Sequence, residues 1–203
     1  QLPDCLITLQ REKKTYGYFS PERFVSRDGD KTDEIAMNPA YFAVCPPEEV
    51  MQTLVHEMTH LWQYHFGKPG RRGYHNKEWA NKMESIGLMP SSTGQPGGDK
   101  TGDKMADYII EGSVFDDLCQ SLLTGDFRIS WADKFPDRDK LQAAIENGTV
   151  GDMAEGLSEM LMEMPEQKQT RAKFTCPECG VNVWGKPSLN LICGDCDVTF
   201  EAC

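Results

Sequence analysis

Two histidines four residues apart, with a glutamate beside the first, are the strongest chemical feature of the sequence. His56, Glu57 and His60 form the pattern H-E-x-x-H. On a helix, residues four apart lie on one face, so both imidazoles can bind one metal ion. Glu57 is rotated by about 100° from His56 and can reach a water on that ion without binding the ion itself. Because zinc lowers the pKa of a bound water to about 7, the pattern predicts metal-assisted peptide hydrolysis with Glu57 as the catalytic base.

The third ligand of such a site has to come from outside the pattern, because a catalytic zinc usually has three protein ligands and a water. His65 lies about 140–180° around the helix from His60 and His56, so it is not expected to bind the same ion. His75 follows a glycine-rich loop that can turn the chain back towards the helix. We therefore favour His75 as the third ligand, with Glu78, one turn further along, as the alternative.

Four cysteines near the end of the sequence form a second metal-binding pattern. They are arranged as two C-x-x-C pairs with thirteen residues between them: Cys176, Cys179, Cys193 and Cys196. Each pair can place two thiolates on one tetrahedral zinc ion. The alternative, two disulfides, requires small and strained rings. A segment of about thirty residues buries little core, so metal binding would supply most of its folding free energy. Together the two patterns predict two Zn²⁺ ions per chain, one catalytic and one structural.

Basic and aromatic residues around these patterns suggest a nucleic-acid partner. Lys173, Trp184 and Lys186 accompany the four cysteines, and Arg71 and Arg72 lie in the glycine-rich loop. Aromatic rings stack on exposed bases while basic groups pair with phosphates, so these residues predict weak, salt-sensitive binding of single-stranded DNA. The alternative is that the aromatic residues only fill the small core of the cysteine-rich segment.

The negative charge of the sequence is concentrated in its middle. The formal net charge is −11, and residues 99–165 contain 6 basic and 15 acidic residues, net −9. This segment should repel phosphate. We therefore divide the sequence into a metal-binding core at 1–98, an acidic, mostly helical segment at 99–165 and a zinc ribbon at 166–203. With no apolar run long enough to span a membrane and no secretory signal, we expect an intracellular protein of the cytoplasm and nucleoid, or of the nucleus in a eukaryote.

The elements that would position these residues follow from hydropathy and turn signals. Short apolar runs predict strands in an antiparallel meander, at residues 5–9, 15–19, 23–25 and 34–38. A helix should begin after the prolines at 46 and 47 and end at Phe66, and a second should cover 76–86, with Trp62, Trp79 and Met83 packed between them. Weaker helical patterns cover 104–123, 137–147 and 152–163. The fold class predicted is α+β.

The order of these motifs resembles the SprT-like (Spartan-type) metalloprotease family. The order is strands, a helix with His56-Glu57-Met58-Thr59-His60, the segment Gly73-Tyr74-His75 and a four-cysteine ribbon. The resemblance covers about residues 4–88 and 174–200. It implies a zincin-like core, in which a small sheet packs on the metal-binding helix and the helix that follows. It also implies a DNA-dependent zinc protease that cleaves proteins bound or crosslinked to DNA, with His56, His60 and His75 as ligands and Glu57 as the catalytic acid and base. The ribbon would hold DNA near the active site.

A second function remains open on the sequence alone. The same residues could form a zinc-containing nucleic-acid-binding or adaptor module, associated with transcription, in which Glu57 does not support proteolytic turnover. Proteolysis measured together with metal content distinguishes this module from the enzyme.

Overall fold

The structure is a computed structural model that describes residues 1–12, 15–125, 127, 129–134, 136–149, 156, 158–159 and 171–202. It divides into two compact units, Gln1–Glu163 and Met164–Cys203. The boundaries predicted for three segments, after residues 98 and 165, stay predictions.

The first unit begins with a three-stranded sheet made of β1 (Cys5–Leu9), β2 (Gly17–Val25) and β3 (Lys31–Met37), in the order β1-β3-β2. β2 pairs with β3 in antiparallel fashion, but β1 pairs with β3 in parallel. The predicted antiparallel meander is therefore wrong for β1. The physical reason lies in β3, where the consecutive residues Ile35 and Ala36 are each only 1% exposed. A strand buried on both faces takes the central position, which places β1 and β2 on its two sides.

β2 joins two runs that the sequence predicted as separate strands, 15–19 and 23–25. The register between β2 and β3 shifts between Ser20 and Phe24. Glu22, inside this irregularity, has a positive φ of 47°. An extra residue bends a strand without ending its pairing, so one bulged strand replaces the two short ones.

Helix α1 (Pro47–Phe66) carries the H-E-x-x-H pattern and agrees with the predicted helix. Its first turn contains Glu48 and Glu49, which suit the positive end of the helix dipole. One side of α1 packs on the sheet, where the buried residues Ile35, Met37 and Leu61 contact Val50, Leu54 and Met58. The H-E-x-x-H pattern is thus held on a helix anchored against β3.

Helix α2 (Lys77–Ile86) also agrees with its prediction. Asn76 caps its first turn, and Gly87 ends it with a left-handed φ of 103°. The other side of α1 meets α2 and the residues after it in a second core, formed by the buried residues Trp79, Ala80, Met83, Leu88, Phe115 and Cys119. Trp79 and Met83 are fully buried, which confirms the packing role predicted for them, and Trp62 is half-buried.

The segment after α2 differs from its prediction. Strand β4 (Leu88–Ser91) pairs in antiparallel fashion with β5 (Ala106–Ile109), and helix α3 begins only at Val114 and runs to Thr124. The helix predicted over 104–123 is therefore wrong for its first part, because pairing with β4 overrides a weak helical pattern. Helix α4 (Arg138–Glu146) agrees with the prediction, and the helix predicted at 152–163 lies almost wholly outside the described residues.

The second unit is a small β structure around its cysteines. Strands β6 (Ala172–Thr175), β7 (Asn182–Gly185) and β10 (Glu201–Ala202) form an antiparallel sheet in the order β10-β6-β7. Strands β8 (Ile192–Cys193) and β9 (Val198–Thr199) form a separate hairpin.

The described residues thus contain four α-helices and several small sheets, which confirms the α+β class. None of these helices is both long enough and apolar enough to cross a bilayer.

Gly17 of β2 lies close to both β3 and α1. A Cβ built on Gly17 would lie 2.8 Å from the Ala36 carbonyl oxygen and 3.0 Å from Thr53 Cγ2. We expect Gly17→Ala to lower the free energy of unfolding by about 1–3 kcal/mol, because the backbone oxygen cannot move aside easily. The measurement is urea unfolding followed by tryptophan fluorescence.

Gly125→Ala is the matched control. Gly125 has a φ of −80°, and an added Cβ would approach the nearest atom, the Leu122 oxygen, to only 3.4 Å. Its stability should stay within a few tenths of a kcal/mol of wild type or rise slightly. Equal stabilities for the two variants would show that β2 and α1 are not tightly packed at Gly17.

Candidate functional site

Three imidazoles meet beside α1. The Nε2 atoms of His56 and His60 each lie 3.1 Å from Nε2 of His75. The first two project from one face of α1, and His75 stands just before α2. The three ligand atoms all lie within 4.8 Å of one another, so these residues could hold one metal ion.

The hydrogen bonds on the far side of two rings indicate which nitrogen faces inward as a lone pair. His56 Nδ1 lies 3.0 Å from Asp107 Oδ2, and His75 Nδ1 lies 3.1 Å from the Gly102 carbonyl oxygen. Since both partners are acceptors, we assign the proton of each neutral ring to Nδ1. The Nε2 lone pairs then point at one another, an arrangement that a cation stabilises and that suits a metal ligand set.

Burial keeps two of these rings neutral. Burial, together with the neighbouring His56 and His75, lowers the pKa of His60 to about 2. Burial and His56 likewise lower the pKa of His75 to about 4. Burial has the largest effect on His56 and opposes its protonation, but the hydrogen bond to Asp107 and the negative charges of Glu57 and Asp107 together outweigh it, so the pKa of His56 is raised. Neutral imidazole is the form that binds metal.

Glu57 is the carboxylate next to this group. It is 7% exposed. Burial raises the pKa of its carboxyl, although the neighbouring His56 and the Phe19 backbone N–H oppose the rise. A carboxylate with a raised pKa is a stronger proton acceptor than one in water.

Trp79 forms the floor under the imidazoles. Its ring centroid lies 4.7 Å from that of His56, 5.4 Å from that of His60 and 4.5 Å from that of His75. The sequence predicted only packing between helices for this residue. In the structure, it also limits the positions that the three rings can take.

His65 and Glu78 lie apart from the imidazole group. His65 Nε2 is 2.6 Å from Asp33 Oδ2, on the side of α1 that faces the sheet. Glu78 Oε2 accepts hydrogen bonds from Gln63 Nε2 at 2.9 Å and from the Lys68 backbone N–H at 2.6 Å. His65 is therefore paired with Asp33. Glu78, the alternative third ligand, is instead hydrogen-bonded to Gln63 and to Lys68 at the C-terminal end of α1.

Sequence reasoning missed Gly102 and Asp107. Both fall in the segment that we assigned to the acidic addition, and Asp107 lies where a helix was predicted. Nothing in the sequence distinguishes Asp107 from the other fourteen acidic residues of 99–165. Only the pairing of β5 with β4 brings its carboxylate to His56.

The imidazoles and Glu57 lie on the wall of an open cleft of about 1690 Å³. Its other walls come from the start of β2, the glycine-rich loop and residues 92–95 and 103–109. Arg71 and Arg72 both line it. Arg71 is already paired with Asp103, at 2.7 Å, and lies 5.1 Å from the ring centroid of Tyr74. Arg72 is exposed.

The second unit brings its four cysteines together. The sulfur atoms of Cys176, Cys179, Cys193 and Cys196 all lie within 4.8 Å of one another, and all four are free thiols. The backbone N–H of Cys179 lowers the pKa of Cys176 to about 7, whereas hydrogen bonding with Cys179 raises the pKa of Cys196 to about 12. Four thiolates this close repel one another, so a cation is needed for all four to ionise together.

The nucleic-acid candidates of this unit lie on its surface. Trp184 is 60% exposed and stands opposite Lys173 in the β6–β7 pairing. Lys186, just after β7, is also exposed. Phe174, by contrast, is 3% exposed and fills the small interior. The unit therefore uses one aromatic residue as its core and leaves another available.

A mixed α+β unit with three converging histidines beside a buried glutamate, followed by a four-cysteine unit, defines a class of protein with two candidate metal sites. The model of the SprT-like family matches residues 1–96. This N-terminal part of the chain is therefore similar to the SprT-like family, which confirms the resemblance found in the sequence.

A curated relative is similar over a short stretch. It is an uncharacterized protein in the mucB 3' region of Salmonella typhimurium, 67% identical over 36 residues, which are 17% of this chain and 49% of that protein. The chain thus spans about half the length of the curated relative it matches. A comparison with solved structures found no match.

The geometry predicts which substitution empties the histidine group. In full-length protein, His75→Ala should lower bound zinc by one ion per chain, because two imidazoles alone hold zinc weakly. His65→Ala and Glu78→Ala should leave the zinc content unchanged. Metal analysis after dialysis against a weak chelator measures this. Loss of zinc from Glu78→Ala with retention in His75→Ala would contradict the assignment.

Proposed function

We propose that this protein is a zinc-dependent metalloendopeptidase of the H-E-x-x-H type with a zincin-like core. The convergence of the three Nε2 atoms beside buried Glu57, on the wall of an open cleft, is the observation that carries the proposal. His56, His60 and His75 hold one Zn²⁺, and the four cysteines hold a second, structural Zn²⁺.

The donor set suits zinc in both places, because imidazole and thiolate are its preferred ligands. At the histidine group, bound zinc supplies a water with a pKa near 7 and polarises the carbonyl of a substrate. Glu57 would accept a proton from a water at this site and would donate it to the leaving amine. The burial that raises the pKa of Glu57 supports the first of these roles, since a raised pKa makes the carboxylate a stronger proton acceptor.

The size of the cleft favours a polypeptide substrate. At about 1690 Å³ it is larger than the pockets of roughly 300–1,000 Å³ that bind small molecules. It also runs between β2 and the loop that carries Arg71 and Arg72, so an extended chain can lie across it.

Replacing Glu57 tests the catalytic role directly. We expect Glu57→Gln to keep its fold and both zinc ions but to lower the rate of peptide cleavage by about 10²–10⁴-fold, because an amide cannot accept the proton. The measurement is cleavage of an unfolded protein, with zinc content determined on the same preparation. Glu78→Gln is the matched control and should cleave like wild type. Full activity of Glu57→Gln would reject Glu57 as the base.

We further propose that proteolysis depends on DNA and is directed at proteins bound or crosslinked to it, at the nucleoid or in the nucleus. Exposed Trp184, with Lys173 opposite and Lys186 beside it, offers a stacking and phosphate-pairing surface for single-stranded DNA. Arg72 adds an exposed positive charge at the cleft. Binding is weak and salt-sensitive, because few phosphates are contacted and the acidic segment opposes them. When this protein and its substrate bind the same DNA strand, the concentration of substrate near the cleft rises.

DNA binding and cleavage measured across a salt series test this dependence. Trp184→Ala should weaken binding to single-stranded DNA by about 1–3 kcal/mol, the usual contribution of one stacked base. Trp131→Ala is the control, since Trp131 is 80% exposed but lies in the first unit. If DNA leaves the cleavage rate unchanged at low salt, the protein is a peptidase without DNA dependence.

The second candidate function is a zinc-containing nucleic-acid-binding or adaptor module without turnover. The exposed Trp184 surface favours it, because this surface belongs to a unit that requires no chemistry at the cleft. Wild-type protein that binds two zinc ions and DNA but cleaves nothing would establish this module instead.

A further inference from the structure

Residues 102–107 contact two of the three imidazoles from outside the part of the chain that matches the family model, which ends at residue 96. Gly102 forms a two-way backbone bridge with His75: the His75 N–H donates to the Gly102 oxygen at 2.8 Å, and the Gly102 N–H donates to the His75 oxygen at 3.1 Å. The same Gly102 oxygen accepts from Nδ1 of the His75 ring at 3.1 Å. One carbonyl therefore orients both the backbone and the side chain of His75.

Asp107 contacts the second imidazole. Its Oδ2 lies 3.0 Å from Nδ1 of His56, and its side chain is only 7% exposed. Its other oxygen, Oδ1, is buried and has no hydrogen-bond partner within the described part of the chain. The position of Asp107 is set by β5, where it pairs with Pro90 of β4. The sheet thus presents one oxygen of a buried carboxylate to the imidazole.

A buried carboxylate with an unpaired oxygen costs free energy unless a nearby positive charge compensates it. Core packing alone would be better satisfied by an apolar residue at position 107. The compensation available here is the Nδ1–H of His56, which becomes a stronger donor when the Nε2 of the same ring binds a cation. The carboxylate is therefore matched to the metal-bound form of His56.

We propose that Asp107, with the carbonyl of Gly102, positions the zinc ligands. Asp107 fixes His56, and Gly102 fixes His75, each with Nδ1 protonated and Nε2 directed at the ion. This inference rests on the proposed zinc site. Residues 102–107 of the acidic segment then have a role that the charge of the segment does not reveal. They complete a zinc site whose three ligands lie earlier in the sequence.

Zinc affinity in the full-length protein tests the role of Asp107. Asp107→Ala should weaken binding at the histidine site by about 10–100-fold, the range found for loss of such supporting carboxylates. Asp107→Asn should lose less, because its amide oxygen can still accept the Nδ1 proton without charge. The measurement is competition with a chelator. Zinc at the four cysteines, which lie in the other unit, is the internal reference and should be unaffected.

Asp99→Asn is the matched control, because it removes an exposed carboxylate of the same segment. Its zinc affinity should equal that of wild type. A second readout is the Nδ1 proton of His56 in the NMR spectrum of zinc-loaded protein, which should be observed in wild type and Asp99→Asn and lost through exchange in Asp107→Ala. If Asp107→Ala fails to fold, Asp107→Asn alone decides, and a loss of several-fold is expected.

Three results would overturn the proposal: unchanged affinity in the folded Asp107 variants, an equal loss in Asp99→Asn, or an equal loss at the cysteine site. These results differ from a failure of the proposed function itself, in which wild-type protein would bind no zinc at the histidines or would bind zinc and cleave no protein.

Discussion

The first unit depends on one constraint: three imidazole nitrogens have to face one another in a largely buried place. Lone pairs 3.1 Å apart repel unless a cation lies among them, so every element around them must resist their separation. Helix α1 supplies two rings from one anchored face, and the start of α2 supplies the third. Trp79, fully buried beneath all three, prevents them from rotating away. The fold therefore holds together, in a largely buried place on the cleft wall, three groups that a positive charge would stabilise.

The same constraint explains the polar groups that surround the site. Acceptors stand behind His56 and His75, so that the protons lie outside and the lone pairs inside. Burial lowers the pKa of two rings and raises that of Glu57, which leaves neutral ligands beside a basic carboxylate. Close approach of β2 at Gly17 helps bury Glu57. One physical effect, partial burial, thus acts on the pKa of the rings and on that of Glu57 together.

The second unit differs from the first in having a very small core, although it too brings potential metal ligands together. Within residues 171–202 it buries little more than Ala172, Phe174 and two of its cysteines, so side-chain packing in this part stabilises it only slightly. Among residues 171–202, the two with left-handed backbone, Gly180 and Asp197, directly follow the second cysteine of a pair. These turns help bring the sulfur atoms together where there is no large core to do so. Because Trp184 is not needed for that core, it remains exposed for another use.

The sequence by itself determined the local features: helices α1 and α2, the spacing of His56 and His60, the two cysteine pairs and the exclusion of His65 by helical phase. These follow from contacts between residues close in sequence. The tertiary structure decided what depends on distant pairing. It placed β1 parallel to β3, made 106–109 a strand rather than a helix, and brought His75 rather than Glu78 to the group. It also supplied Asp107, fifty-one residues from His56, through a sheet register that no local pattern encodes.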